Sequence, residues 1–234
     1  FLVPLMGSIY FGAMIVALTL NLNLVLPAFK LILVDAFNGT AIAGGTFFGV
    51  LIYGVRRGAF SNEAGMGTES LVHGVAKVSN PVKQGLVAMT GPIFDTLIIC
   101  TATALMILVS GVWETSSSQG VTLTAEAFSI LLGNFGGLIL FVCVICFGLS
   151  TIFTYSYYGA SCSRFLFGKF GMKFYIYLYI LSIFIYSIVP IDIAINIADG
   201  AFAMMAIPTL ISALWLAPKV MQASKNYFKL IDNN

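Results

Sequence analysis

Apolar runs of about 20 residues, repeated along nearly the whole chain, limit what this sequence can fold into more than any other feature. A helix needs roughly 20 such residues to cross a hydrocarbon layer, whereas barrel strands would alternate over roughly 10 residues, a pattern the sequence lacks. With 59% hydrophobic residues, 9% charged residues and a mean hydropathy of +1.01, the chain has too few charges to present a soluble surface. The expected fold class is an all-α membrane protein. A net charge of +2, scattered along the chain, gives no footprint for nucleic acid.

Six crossings are expected, at about residues 3–29, 41–78, 84–112, 127–161, 174–189 and 193–217. The first is expected to end near Pro27 and Lys30, and residues 31–40, with Asp35 and Asn38, to form a surface loop or a partly inserted helix. Residues 219–234 form a polar, basic tail. The chain starts at Phe1, without an initiator methionine and without the basic region and cleavage site of a signal peptide, and is read as a piece of a longer protein. Cys100, Cys143, Cys146 and Cys162 fall in apolar or helix-end positions. At that depth zinc or dithiol chemistry would lack water and further ligands, so they are expected to pack as small apolar groups.

Basic residues orient the chain, because cytoplasmic loops retain them. Lys77 and Lys83 follow the second run; Arg164, Lys169 and Lys173 follow the fourth; Lys219, Lys225 and Lys229 follow the sixth. Residues 113–126 carry Glu114 and Glu126 and no lysine or arginine, so they belong on the opposite side. Both ends of the chain are then expected on the cytoplasmic face.

One stretch disturbs this pattern. Residues 54–70, GVRRGAFSNEAGMGTES, hold two arginines, two glutamates, an asparagine and four glycines between apolar runs. Residues 41–55 supply only about 22 Å of helix, short of the roughly 30 Å core. One reading is a cytoplasmic loop after a short span. The other is a discontinuous helix, in which Ser61 and Asn62 cap a second half-helix whose first turn holds Glu63. Unwound backbone is tolerated at membrane depth only where it is buried in protein or lines a wet cavity, so a break there marks a site.

The same stretch closely resembles the signature of the alanine or glycine:cation symporters, written G-x-[KR]-R-G-x-F-S-N-E-A-G-x-G. The resemblance continues through Pro81, Gln84-Gly85, Asp95-Thr96, residues 99–111, Ser150-Thr151-Ile152, Tyr157-Tyr158-Gly159, Ala198-Asp199 and residues 204–208, and covers essentially all of the chain. It implies a LeuT-like inverted-repeat transporter: a single transmembrane domain over 1–234, with the last helix of a first repeat at about 1–30, a second five-helix repeat at about 41–218 and a cytoplasmic tail at 219–234. The family's other broken helix has no counterpart in this sequence. The implied function is sodium-coupled symport of a small neutral amino acid, alanine or glycine, by alternating access in a prokaryotic cytoplasmic membrane. The alternative is a proton-coupled or other amino-acid or amine permease of the same fold, or a fragment inactive without the first broken helix. No cofactor is implied beyond sodium as coupling ion; the partners are amino acid, sodium and membrane lipid, and the oligomeric state is left open.

The resemblance places Phe60, Ser61, Asn62 and Met66 at the substrate, with Thr151 and Tyr155. Phe147, Ser150 and Thr151 are implied as oxygen ligands of sodium, a hard ion. Arg56, Arg57 and Glu63 are implied as a gating group, with Glu63 paired to one of the arginines. Thr154, Tyr155 and Ala160 depart from the family pattern, as does Pro208-Thr209. His73 is expected as a solvated surface residue rather than a proton relay. Asp95, Asp192 and Asp199 are expected as helix-end or tertiary partners, with Asp95 the deepest and the most consequential of the three. Enzyme and redox alternatives fare poorly, since one histidine excludes a bis-histidine haem and an H-E-x-x-H site. A channel would want repeated polar rings.

Overall fold

The computed structural model describes residues 2–37 and 46–232, and no strand occurs among the described residues. In chain order the elements are α1 (Leu2–Leu20), α2 (Leu22–Ala36), α3 (Thr46–Asn62), α4 (Thr68–His73), α5 (Pro81–Pro92), a π-helical stretch (Ile93–Cys100), α6 (Thr101–Ser110), α7 (Val112–Thr115), α8 (Val121–Leu132), α9 (Asn134–Tyr186) and α10 (Ile191–Asp232). Among the described residues, four helical stretches, Val3–Leu20, Pro81–Ser110, Asn134–Tyr186 and Ile191–Ile231, are long and apolar enough to cross a bilayer. The described residues are all-helical, and these apolar stretches fit a multi-pass membrane protein.

The helix boundaries differ from the hydropathy reading in ways that local chemistry explains. The first run breaks at Asn21, whose side-chain amide donates to the Ala17 carbonyl at 2.9 Å, in place of ending near Pro27. Helix α2 then continues through Pro27 to Ala36, so residues 31–36 are helical. Residues 38–45, including Asn38, Thr40 and the start of the second run, lie outside the described residues. The third run starts earlier than expected, at Pro81. Asn80 accepts a hydrogen bond from the Val82 amide at 2.9 Å, and Pro81 occupies the first helical position, where its missing N–H costs nothing.

The fourth run divides at Gly133, so that α8 is separate from α9. The α9 stretch holds 53 residues, which as one straight helix would run about 80 Å, more than twice a hydrocarbon core. It is interrupted at Gly168, with φ 68° and ψ −155°, a conformation open essentially to glycine alone. The join falls among Arg164, Lys169 and Lys173. Helix α10 likewise runs past the expected end at 217 through Pro218 to Asp232, so most of the basic tail is helical.

Two compact units emerge, Phe1–Gly54 with Asp95–Tyr155, and Val55–Phe94 with Ser156–Asn234. Helices in lipid gain little by hiding apolar surface from one another, so tight packing around small residues and interhelical hydrogen bonds hold them. In the first unit Met14, Ala17, Met106, Phe128 and Leu140 form the core. Tyr10 stacks on Phe128 with ring centroids 5.5 Å apart and shares a 2.9 Å hydrogen bond with the Thr103 hydroxyl, tying α1 to α6 and α8. Cys143 packs there too, its thiol 3.9 Å from the Met6 carbonyl. In the second unit α4 joins α5 through a 2.7 Å hydrogen bond between Gln84 Nε2 and His73 Nδ1. His73 is thus a half-buried helix partner rather than the solvated residue expected.

Candidate functional site

The helix break is present, but further along the chain than the sequence suggests. Helix α3 continues unbroken through Arg56, Phe60, Ser61 and Asn62. Only Gly58 among residues 56–60 weakens helical propensity, and arginine, alanine and phenylalanine carry the helix on. The backbone unwinds at residues 63–67, where Glu63, Gly65 and Gly67 have φ of 53°, 79° and 90°. Ser61 and Asn62 therefore end the first half-helix, and do not cap the second. The residue before α4 is Gly67, and the acidic residue in the first turn of α4 is Glu69, not Glu63.

Gly67 is fixed by two constraints. Its left-handed φ disfavours any Cβ, and a Cβ there would stand 2.7 Å from Thr209 Oγ1 on α10. The Thr209 hydroxyl donates to the Met205 carbonyl at 2.9 Å, which holds it toward its own helix. The next residue, Thr68, is 2% exposed and its hydroxyl has no hydrogen-bond partner. The break thus packs its backbone directly against α10.

A cavity of about 390 Å³ opens beside this break, lined by Arg56, Ala59, Phe60 and Met66 from the first part and by Asn196, Asp199, Gly200, Phe202, Ala203 and Ala206 from α10. Phe60 and Phe202 meet edge to face with centroids 4.8 Å apart, forming one apolar wall. Of the sequence-predicted substrate residues, Phe60 and Met66 reach the cavity; Ser61 and Asn62 sit at the end of α3 and are not among its lining residues.

The charged group also takes in Asp199. Arg56 Nη1 lies 3.7 Å and Arg57 Nη2 3.6 Å from the same atom, Asp199 Oδ2. Asp199, on α10, is an ionic partner of both arginines. Glu63 lies within electrostatic reach of the largely buried Tyr158. The signal for Asp199 was available, since an acidic residue inside an apolar run marks a site by default. Its partners, two turns before the break, were not readable from spacing.

Phe147, Ser150, Thr151 and Tyr155 lie on the continuous first part of α9, in the first unit. The Ser150 hydroxyl donates to the Phe147 carbonyl at 2.8 Å, and Thr154 donates to the Ser150 carbonyl at 2.8 Å. This is the back-bonding that serine and threonine commonly make in membrane helices. An ion drawing on Ser150 and Phe147 would have to take that hydroxyl away from its own turn. Asp95 lies within the π-helical stretch, half-buried. No cluster of three or more acidic, histidine or cysteine side chains suited to a metal occurs among the described residues.

A family model described as the sodium:alanine symporter family matches residues 1–234. The chain is 35% identical over 235 residues to the sodium/alanine symporter AgcS of Methanococcus maripaludis, covering 99% of this chain and 52% of that protein. It is 32% identical to the Bacillus subtilis protein named probable sodium/glutamine symporter GlnT, over 97% of this chain and 48% of the relative. It is 31% identical to a sodium/proton-dependent alanine carrier protein of Bacillus sp. strain PS3, over 66% of this chain and 38% of that one. The chain spans about half the length of the curated relatives it matches. With a family match along its whole length and the helix break in the segment that carries the signature, the chain belongs to the sodium:alanine symporter family.

Proposed function

We propose that the protein carrying this chain is a sodium-coupled symporter of a small neutral amino acid, working by alternating access in a prokaryotic cytoplasmic membrane with both ends of the chain on the cytoplasmic side. The observation that carries this reading is the unwound backbone at residues 63–67, packed on α10 beside a cavity lined by Phe60 and Met66. Unwound backbone in a membrane helix exposes N–H and C=O groups that can hold the two ends of a zwitterion and its coupling ion. The cavity walls next to it are largely apolar and leave space for a small side chain. Relatives named for alanine and glutamine support a neutral amino acid as substrate, and those named for sodium support sodium as the coupling ion.

In this reading the architecture is LeuT-like: residues 1–30 close a first repeat, and residues 41–218 form a second repeat of five helices, α3–α4 being its broken member. Gly168 then divides α9 into two crossings, turning the chain at the basic residues Arg164, Lys169 and Lys173. Ser61 and Asn62 present polar groups at the break, and Tyr155 borders the substrate path. Phe147, Ser150 and Thr151 supply oxygens for sodium, and Arg56, Arg57 and Glu63 form the gating charges.

Uptake of labelled alanine, glycine and glutamine by proteoliposomes of the full-length protein tests the assignment. A sodium gradient should drive accumulation of at least one of them. Replacing Thr151 with alanine should raise the sodium concentration for half-maximal uptake by about tenfold, the effect of losing ~1.4 kcal/mol of ligation. Uptake indifferent to sodium would sink the symport reading, and accumulation driven by a proton gradient alone would replace sodium with protons.

A further inference from the structure

We propose that Asp199 is a specificity-determining residue, whose charge keeps the cavity selective for neutral over acidic amino acids. The inference deepens the symport reading and rests on it. Three charged groups converge on one atom: Arg56 and Arg57 both approach Asp199 Oδ2, at 3.7 and 3.6 Å. Their formal sum is +1. The Asp199 side chain is 12% exposed, and its Oδ2 is sealed from solvent and accepts no hydrogen bond. Its contacts with the guanidiniums are therefore ionic and longer than hydrogen bonds. A buried carboxylate with so little hydrogen bonding is costly unless cations compensate it, and here two do.

Two of these charges, Arg56 and Asp199, also line the cavity; Asn196 is the remaining polar liner. Ala59, Phe60, Met66, Phe202, Ala203 and Ala206 make the rest of the wall apolar. In such surroundings the field of an unbalanced charge reaches further than in water. A solute entering beside Phe60 and Met66 would meet a site one unit more positive without the Asp199 carboxylate than with it. A neutral amino acid, having no net charge, feels this difference only through its dipole. An acidic amino acid carries a net −1 and feels all of it. Arg56, with 55% of its side chain exposed, is the charge such a solute would reach first. Asp199 thus restrains an attraction that would otherwise favour acidic substrates, while its contact with both guanidiniums holds α3 to α10 across the cavity wall.

The test is competition against sodium-driven uptake of labelled alanine by the full-length protein in proteoliposomes, comparing half-inhibitory concentrations of aspartate and glutamine. For Asp199→Asn the aspartate-to-glutamine ratio should fall about tenfold or more, toward aspartate. Adding Arg57→Gln to Asp199→Asn restores the net charge to +1 and should return the ratio toward its starting value. Arg57→Gln alone lowers the sum to zero and should move the ratio the opposite way, and Asp199→Glu should leave it unchanged. A ratio is insensitive to how much protein folds, so a purely structural role would lower uptake with every competitor in parallel and overturn the proposal. Should Asp199→Asn transport nothing, thermal shifts of the purified variants with aspartate and with glutamine read the same ratio from binding. Absent alanine uptake in the unsubstituted protein would bring down the symport reading, whereas intact uptake with an unchanged ratio in Asp199→Asn would overturn the Asp199 assignment alone.

Discussion

The second unit interrupts its helices twice, and the two interruptions differ in kind. At residues 63–67 the chain spends five residues in unwound backbone, three of them at positive φ, and presses Gly67 against Thr209. At Gly168 a single residue changes direction and both neighbours remain helical, and a Cβ built there would meet nothing within 4 Å. The first break is held by a neighbour and adjoins a cavity. At the second nothing presses on the glycine itself, and its two arms meet away from it, where Gly159 packs against Tyr175. A site needs polar backbone fixed in place by surrounding structure, whereas a turn between crossings needs only a residue able to adopt the angle.

The largest effect that would separate them comes from adding one carbon at each glycine. Gly67→Ala should destabilise by about 2–4 kcal/mol, combining left-handed strain with overpacking against Thr209. Thr209→Ala in the same protein should recover the overpacking part, leaving a coupling of about 1 kcal/mol or more in a double-mutant cycle read by thermal unfolding in detergent. Additive effects would mean that α10 does not brace the break. Gly168→Ala comes next, at about 1–3 kcal/mol from dihedral strain alone. No single partner substitution should rescue it, and a second-site rescue from a packed neighbour would erase the distinction between the two breaks.

How much of this is readable in the sequence follows from the same contrast. The existence of a break within residues 54–70 is legible, because glycines and charges set between apolar flanks cannot continue an ordinary lipid-facing helix. Its position is not. Ser61 and Asn62 look like N-caps by type, yet a cap is defined by the backbone beyond it, and the unwinding depends on Gly65 and Gly67 meeting α10. Arg56 and Arg57 are legible as a charged group needing a partner. That Asp199, about 140 residues further along the chain, reaches both of them is a tertiary fact that local spacing cannot carry. Gly168 reads as one more residue of a basic loop, because the charges around it suggest irregular chain where the structure keeps helix on both sides. Asn80-Pro81 and Asn21, by contrast, are signals present in the sequence whose local hydrogen bonding sets the helix boundaries.

A third join, before α8, adds side-chain hydrogen bonding to a glycine at positive φ, Gly120, with φ 61°. Here Ser118 donates its hydroxyl to Glu126 Oε1 at 2.6 Å, and the Ser118 amide donates to Ser116 Oγ at 3.0 Å. Hydrogen bonding from Ser116 and then Ser118 holds the Glu126 carboxyl below the usual glutamate range, against a smaller opposing effect of desolvation. Since the folded pKa is the lower one, this contribution is complete above the ordinary glutamate value and is lost as pH falls through the depressed one. The carboxylate is open to solvent, so the effect should be the smallest of the three and should weaken as salt is added. Thermal unfolding of the unsubstituted protein and of Ser118→Ala, followed from pH 7 down to about 3, should show two curves that lie apart at neutral pH and converge on acidification. Curves that stay apart and parallel throughout would mean that the Ser118 contribution does not depend on the ionised carboxylate, and curves that coincide at every pH would mean that the Ser118 hydroxyl holds nothing at this join.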